Sequence, residues 1–300
     1  MANGLSQSTV TGFPVYRGKV RDVYDLGEHL LIVATDRLSA FDVVFGDPIP
    51  GKGTILTQLS LWWFARTGGI TANHLVSADT ADYPAALAPW RGELEGRSML
   101  GRKLRALRGE FVVRGYLDGS AWKDYQARGE VSGVALLKGL QRRSCFGAPI
   151  FTPSTKAEEG HDEPISFDGL AKIVGSEEAA EARRRSVALY AFAHNQVFDK
   201  GLILSDTKFE FGMSESGEMV LIDEILTPDS SRYWLRDSYT PESENPVSLD
   251  KQYVRDYVEQ LGWNKTAPAP RLPAEVIAQT QQRYLQAYEM VTGERPTFPI

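Results

Sequence analysis

The chain has 300 residues, of which 42% are hydrophobic and 24% are charged, and its formal net charge at pH 7 is −6. These values are typical of a globular protein with a large core, here expected to be divided between two lobes. The acidic balance argues against a non-specific binder of nucleic acid or membranes, and no run reaches the roughly 18 apolar residues that a membrane span requires. Because Cys145 is the single cysteine, an internal disulfide is excluded, and we interpret Cys145 as an incidental thiol in a cytoplasmic protein. The protein is expected to be a monomer.

The first third of the chain is predicted to be rich in β-strands. Residues 15–24 and 30–35 are apolar-rich runs joined by a polar turn, a pattern typical of a hairpin. A helix is predicted over residues 54–67, because apolar side chains recur there at helical spacing. Residues 111–113 form a short strand-like run, and residues 129–148 are loop-like or hairpin-like.

The second half is predicted to contain the longer helices. One is predicted over residues 176–200, with Ser176 as its cap and Gly201 after its end. Its inward side is expected to comprise Val187, Tyr190, Ala191, His194 and Phe198. Residues 251–261 and 273–292 are predicted to form two closing helices. Strands first and helices later predict an α+β fold with a β-rich N-terminal lobe.

The most informative segments read Ser-Asp-Thr-Lys-Phe-Glu-Phe-Gly and Leu-Ile-Asp-Glu, and they are predicted to be paired strands joined by a polar turn. Because strand side chains alternate between faces, Asp206, Lys208 and Glu210 share one face. A facing strand that supplies Asp223 brings carboxylates close enough to hold a divalent metal, such as Mg²⁺ on a nucleotide phosphate. The alternative is a solvated hairpin face with surface ion pairs.

Other segments fit phosphate binding but are weak signals when taken singly. Glycine at position 18 permits close backbone approach, and Lys19 and Arg21 share a face that could meet phosphates. Arg114 and Ser120 bracket a glycine-containing turn that suits a phosphate monoester, although a purely structural turn is about equally plausible. The sequence shows no zinc motif and no Ser/His/Asp order.

Several motifs occur together and in one order along the chain. They read Gly-Lys-Val-Arg-Asp-Val-Tyr, Ala-Thr-Asp-Arg-Leu-Ser-Ala-Phe-Asp, Phe-Val-Val-Arg-Gly-Tyr-Leu-Asp-Gly-Ser, Phe-Thr-Pro-Ser-Thr-Lys-Ala-Glu, Ser-Asp-Thr-Lys-Phe-Glu-Phe-Gly and Leu-Ile-Asp-Glu-Ile-Leu-Thr-Pro-Asp-Ser-Ser-Arg. With these motifs the chain closely resembles the longer form of the phosphoribosylaminoimidazole-succinocarboxamide synthase (SAICAR synthetase) family. The resemblance runs from about Tyr16 to Tyr257.

The resemblance implies a ligase of purine biosynthesis that joins carboxyaminoimidazole ribotide (CAIR) to L-aspartate with ATP and Mg²⁺. It implies an α+β fold with a kinase-like, nucleotide-binding lobe over residues 1–108 and a larger α/β lobe over residues 109–300, with ATP in the cleft between them. The small-molecule substrates would be its partners.

The resemblance also implies roles for individual residues. Residues near ATP would be Gly18, Lys19, Arg21, Leu104, Ala106 and Glu110. Residues that bind the other substrates would be Arg114, Ser120, Lys156, Asp162, Asp229 and Arg232. Catalytic residues would be Lys19, Asp206 and Lys208, and metal ligands would be Glu210 and Asp223.

Two features depart from the family's usual pattern. Residues 141–148 replace a proline-rich approach to the Phe-Thr-Pro-Ser loop, and Pro164 stands where asparagine is usual. Two other classes fit parts of the site, namely a kinase and a non-catalytic nucleotide-binding regulator. The missing His-Arg-Asp and Asp-Phe-Gly segments argue against a protein kinase, and the filled charged positions argue against the regulator.

Overall fold

The structure, a computed structural model, describes residues 4–156, 162–241 and 245–298. Its strands are β1 Val15–Arg17, β2 Arg21–Asp25, β3 His29–Ala34, β4 Ser39–Ala40, β5 Val43–Val44, β6 Leu75–Ser77, β7 Ser98–Arg102, β8 Arg105–Ala106, β9 Phe111–Tyr116, β10 Glu130–Val131, β11 Val134–Ala135, β12 Cys145–Phe151, β13 Leu202–Met213, β14 Met219–Ile222 and β15 Ser231–Leu235. Its helices are α1 Lys52–Thr67, α2 Arg91–Leu94, α3 Ser120–Arg128, α4 Phe167–Val174, α5 Ser176–Phe198, α6 Gln252–Gln260 and α7 Ala274–Thr292. Short 3-10 helices cover Thr80–Asp82, Ala85–Trp90 and Arg236–Ser238.

An antiparallel five-stranded sheet forms the N-terminal part, in the order β1-β2-β3-β7-β6. The predicted hairpin is confirmed, with Tyr24 of β2 opposite Leu31 of β3. The first predicted strand is divided in two, because the Gly18 amide donates to the carbonyl of Arg21 at 2.8 Å in a tight turn. That turn places Arg21 at the start of β2.

The second large sheet is organised around β13. This twelve-residue strand pairs with β9 and β8 along one edge and with β15 and β14 along the other. The predicted hairpin is confirmed, since Glu210 lies opposite Ile222. Burial alternates along β13 as predicted, because Thr207 and Phe209 are buried while Asp206 and Lys208 keep partly exposed faces.

One hydrophobic core extends from α1 to the C-terminal helices. The predicted helix over residues 54–67 is confirmed, and Ile55, Leu59 and Trp63 are fully buried. Leu204 of β13 and Val291 of α7 belong to the same cluster of buried side chains. Mixed helix and sheet in this arrangement confirm the α+β fold, whereas the lobe boundary at residue 108 stays a prediction.

Helix α5 confirms the predicted span but corrects two details. The predicted cap is wrong, because Gly175 occupies the N-cap position and no side chain caps the helix there. The predicted inward side is also wrong in part, since Tyr190 is buried but Ala191 and Phe198 are exposed. The buried positions are Ala179, Ala182, Ser186, Leu189, Tyr190, Ala193 and Val197. The Phe198 ring instead lies at the surface, where the guanidinium of Arg236 stacks over it at 5.2 Å.

The remaining elements follow the predictions closely. The hairpin-like segment contains the β10–β11 pair and the start of β12. Both closing helices are present as α6 and α7, and Tyr284 and Val291 of α7 are buried as expected. Over the described ranges, no helix is both long and apolar enough to cross a membrane.

Candidate active site

Three carboxylates lie where the two large sheets meet. Glu210 projects from β13, and Asp223 and Glu224 follow the end of β14. Arg21 reaches them from the N-terminal sheet, with its Nη2 atom 2.8 Å from Asp223 Oδ2 and its Nη1 atom 3.2 Å from Glu224 Oε1. These ion pairs join β2 to the hairpin across a separation of about two hundred positions in the chain.

Asp223 has an unusual backbone and an unusual charge environment. Its φ of 64° lies in the left-handed region, which ordinary side chains rarely adopt. Burial raises the pKa of Asp223 to about 6; Arg21 opposes this shift, and the charges of Glu210 and Glu224 add to it. The carboxylate is therefore short of positive charge, as expected for a group that receives a cation.

The carboxylates of Glu210 and Asp223 are the predicted metal ligands. Within residues 4–156, 162–241 and 245–298, no three or more His, Cys, Asp or Glu side chains are arranged to hold a metal ion by themselves. Mg²⁺ commonly binds through one or two carboxylates, waters and substrate phosphates, and it prefers hard oxygen ligands. Two carboxylates are therefore enough for the protein's share of such a site, and the magnesium site stays a prediction.

Two lysines contact the same carboxylates. Lys156 forms an ion pair with Glu210, and Lys208 forms one with Glu110. The Nζ atom of Lys208 also lies 3.9 Å from Glu210 Oε1. Although burial opposes the charged form, Glu110 and Glu210 raise the pKa of Lys208 above its ordinary value. Lys208 is therefore a permanent cation at the centre of the site.

The predicted ATP-binding residues divide into two groups. Arg21 and Glu110 lie in the carboxylate group, whereas Lys19 lies outside it, half-exposed and paired with Asp42. Ala106 pairs with Gly212 at the end of β13 and is exposed, so this predicted ATP-binding residue lies on β8, the short strand beside the end of β13 that carries Glu210.

A group of arginines forms the second half of the site. Arg114 donates to Ser120 Oγ at 3.2 Å and forms a close ion pair with Asp206. Arg232 on β15 lies beside them, with its Nη1 atom 3.5 Å from Asp206 Oδ2. The structure thus brings Arg114 and Ser120 together with Asp206 and Arg232 from a distant part of the chain. The two guanidinium groups and the hydroxyl are donors that suit a phosphate monoester.

The side chain of Asp229 is buried among two lysines and a tyrosine. Its carboxylate is 1% exposed and lies 2.6 Å from Lys52 Nζ and 3.4 Å from Lys251 Nζ, and the Tyr284 hydroxyl donates to it at 2.8 Å. Burial opposes ionisation, but Lys251 and Lys52 hold the pKa of Asp229 well below its usual value. These partners give Asp229 a structural role, and its predicted contact with the ribotide stays a prediction.

The segment that contains Lys156 and Asp162 is only partly described. Residues 157–161, including His161, lie outside the described residues, and Asp162 is exposed at their border. Neither Lys52, whose side chain is fully buried, nor Asp118, which lies 3.7 Å from Arg232, was predicted to be a site residue. Glycines on both sides of Lys52 were the only available signal for its burial.

Known proteins resemble this chain in sequence and in fold. The family model described as SAICAR synthetase matches residues 14–270. The chain belongs to the SAICAR synthetase family. Members of this family ligate CAIR and L-aspartate with ATP in purine biosynthesis.

The relatives cover nearly the whole chain. The phosphoribosylaminoimidazole-succinocarboxamide synthase of Trichlorobacter lovleyi is 51% identical over 295 residues, covering 98% of this chain and 99% of the relative. That of Desulfosudis oleivorans is 54% identical over 288 residues, covering 94% and 98%. The SAICAR synthase of Saccharomyces cerevisiae complexed with SAICAR superposes with a TM-score of 0.89 at 39% identity, covering 98% of this chain and 100% of the yeast chain. The match therefore extends over both sheets and α7.

Proposed function

We propose that this chain catalyses the SAICAR synthetase reaction at the junction of the carboxylate and arginine groups, through an acyl phosphate of CAIR. The proposal rests on one observation, namely that the carboxylate group and the arginine group share strand β13. Asp206, Lys208 and Glu210 project from one face of β13, and their partners reach both groups. A strand advances about 3.3 Å per residue, so the two halves of the site lie within one substrate's length.

The first step would transfer the γ-phosphoryl group of ATP to the carboxylate of CAIR. A carboxylate is a poor acyl donor, and phosphorylation supplies a leaving group. Bound Mg²⁺ would offset the phosphate charge at Glu210 and Asp223, and Arg21 and Lys208 add fixed positive charge nearby. The protein's contribution is therefore mainly position and electrostatics.

The second step would be attack by the amine of L-aspartate on the acyl phosphate, with release of phosphate. The amine must be neutral to attack, so one proton has to leave it. Asp206 is the carboxylate nearest the arginine group, but Arg114 and Arg232 hold it. We therefore assign Asp206 first to positioning Arg114 and Arg232. Asp206 could accept a proton from the amine only after a substrate phosphate had replaced it as the partner of these two arginines.

The arginine group would hold the ribotide phosphate. Arg114, Ser120 and Arg232 present donors from β9, α3 and β15, which are three separate elements. Guanidinium groups bind phosphate through paired hydrogen bonds, which fixes orientation as well as charge. The yeast relative is described as complexed with SAICAR, which carries this ribotide, and this supports the assignment.

The decisive experiment measures ADP release by the purified protein with Mg²⁺-ATP, CAIR and L-aspartate, omitting each in turn. We expect release to require all three, with the succinocarboxamide product formed in equal amount. Release with CAIR but without aspartate would show phosphorylation uncoupled from amine capture. If no mixture released ADP although ATP bound, the chain would be a nucleotide-binding regulator and the proposal would be wrong.

A further inference from the structure

The segment that departs from the family pattern forms a turn seated on the arginine group. The Arg143 amide donates to the carbonyl of Leu117 at 2.6 Å, and the Leu117 amide donates to the carbonyl of Ser144 at 2.9 Å. The Tyr239 hydroxyl donates to the carbonyl of Arg143 at 2.8 Å. Residues 141–144 are therefore fixed against the end of β9, one residue before Asp118.

Asp118 connects this turn to the ribotide site. Its carboxylate, 5% exposed, accepts a hydrogen bond from Arg142 Nε at 2.7 Å and lies 3.5 Å from Arg143 Nε. Arg232 Nη1 lies 3.7 Å from Oδ2 of the same carboxylate, which is also the oxygen nearest Arg143. Asp118 thus pairs with Arg142 through Oδ1, and through Oδ2 it lies between Arg143 of the turn and Arg232 of β15.

The neighbouring glycine leaves no freedom for Arg232 to move toward it. Gly119 adopts φ 61° and ψ −131°, a backbone conformation essentially limited to glycine. A Cβ atom at this position would lie 2.7 Å from Arg232 Nη2. The guanidinium therefore lies directly on the backbone, with Asp118 and Asp206 as the carboxylates that bond it.

Four guanidinium groups gather around these two carboxylates. Arg142 and Arg143 form ion pairs with Asp118, Arg114 forms one with Asp206, and Arg232 lies near both. A phosphate monoester carries between one and a half and two negative charges at neutral pH, and guanidinium groups are the side chains that bind it through paired hydrogen bonds.

We propose that Asp118 is a positioning residue for the ribotide phosphate, which orients Arg232 while Arg142 and Arg143 balance its charge. The inference rests on the proposed function, because it takes the phosphate of CAIR as the ligand of Arg232. Two effects of removing Asp118 have opposite signs. Loss of a negative charge favours anion binding, whereas loss of the partner that orients Arg232 weakens it, and the proposal requires the second effect to dominate.

The test compares Michaelis constants for CAIR, ATP and L-aspartate in the wild-type protein, Asp118→Ala, Asp118→Asn, Arg142→Gln and the double variant. We expect Asp118→Ala to raise KM for CAIR about tenfold and to change KM for ATP less than twofold. Asp118→Asn keeps an acceptor and is expected to raise KM less. Arg142 acts through Asp118, so the double variant should bind CAIR no worse than Asp118→Ala alone.

A competitor isolates the phosphate contact from the rest of the substrate. Ribose 5-phosphate should inhibit the wild-type protein more strongly than ribose does, and Asp118→Ala should reduce that difference. Matched controls are Asp237→Asn, at a side chain 93% exposed, and Arg184→Gln on the outer face of α5, and both should leave every KM unchanged.

The outcomes separate the inference from the proposed function. If the wild-type protein forms no product, the proposed function fails. If it forms product and Asp118→Ala leaves KM for CAIR unchanged or lowers it, only the positioning role is overturned. Should Asp118→Ala not fold, Arg142→Gln decides, because its side chain is 45% exposed and its removal leaves the core intact. An unchanged KM for CAIR in that variant contradicts the proposal.

Discussion

Replacing Lys52 by methionine should destabilise the protein strongly without touching the surface of the site. The Lys52 side chain is fully buried, and its Nζ atom lies 2.6 Å from Asp229 Oδ2. Methionine has a similar length and no charge, so the substitution removes the cation and fills nearly the same volume. Asp229 then keeps Lys251 at 3.4 Å and the Tyr284 hydroxyl at 2.8 Å.

The expected loss of stability depends on how much of the negative charge of Asp229 remains paired in Lys52→Met. Removing one partner of a buried ion pair typically costs about 3–5 kcal/mol, because the other charge is left uncompensated. Lys251 still balances Asp229 in part, so we expect a loss near the lower limit, about 3 kcal/mol. With an unfolding entropy of about 2.1 cal/mol/K per residue, this loss lowers the Tm of a 300-residue chain by about 5 °C.

The assay is urea unfolding of the wild-type protein, Lys52→Met, Asp229→Asn and the double variant, monitored by tryptophan fluorescence and circular dichroism. Lys265→Met is the control, because it breaks an equally short pair with Glu259 at the surface and should cost less than about 1 kcal/mol. The double variant should be more stable than the sum of the single losses predicts. The reasoning would be refuted if Lys52→Met lowered the free energy of unfolding by less than about 1 kcal/mol. It would also be refuted if the losses of the two single variants added up to the loss of the double variant.

Three further variants test the site and its pH response. Asp223→Asn should leave the circular dichroism spectrum unchanged and weaken the use of Mg²⁺-ATP, and near-normal turnover would remove Asp223 from the metal role. Arg232→Ala should raise KM for CAIR at least tenfold more than KM for ATP, and equal effects would contradict its ribotide assignment. Burial lowers the pKa of His74 to about 4, whereas in the unfolded chain it is about 6.5. As the pH decreases from 6.5 to 4, the unfolded chain therefore binds a proton that the folded protein does not bind, and the free energy of unfolding falls by up to about 3 kcal/mol. His74→Gln should lose that part of the pH dependence, and an unchanged slope in urea titrations would contradict it.

Local patterns in the sequence predicted the strand that carries the chemistry. Alternation along β13 was sufficient to place Asp206, Lys208 and Glu210 on one face, because strand geometry depends only on neighbouring residues. Partners across the chain were not predictable in this way. Arg21 and Asp223 are separated by 202 positions, and only the packing of the two sheets brings them together.

Helical patterns were less informative where small residues dominate. Ala182, Ser186 and Ala193 form the buried side of α5, but alanine and serine give a weak signal, so the larger Phe198 was wrongly placed inside. The left-handed backbone conformation of Asp223 could not be predicted either, since nothing in Leu-Ile-Asp-Glu distinguishes a strand end from a strand interior.

The shared core limits how this chain can be recombined with its relatives. The Leu221 amide of β14 donates to the Ala72 carbonyl at 2.9 Å, and the His74 amide donates to the Leu221 carbonyl at 3.0 Å, so the strand before Asp223 takes part of its pairing from the N-terminal half. The apolar side of α1 packs against α7 in the shared core. A chimera that takes the whole N-terminal half, including α1 and residues 72–74, from a relative would therefore have to match both β14 and α7 of this chain. Exchangeable units in this enzyme are thus defined by the boundaries of the core.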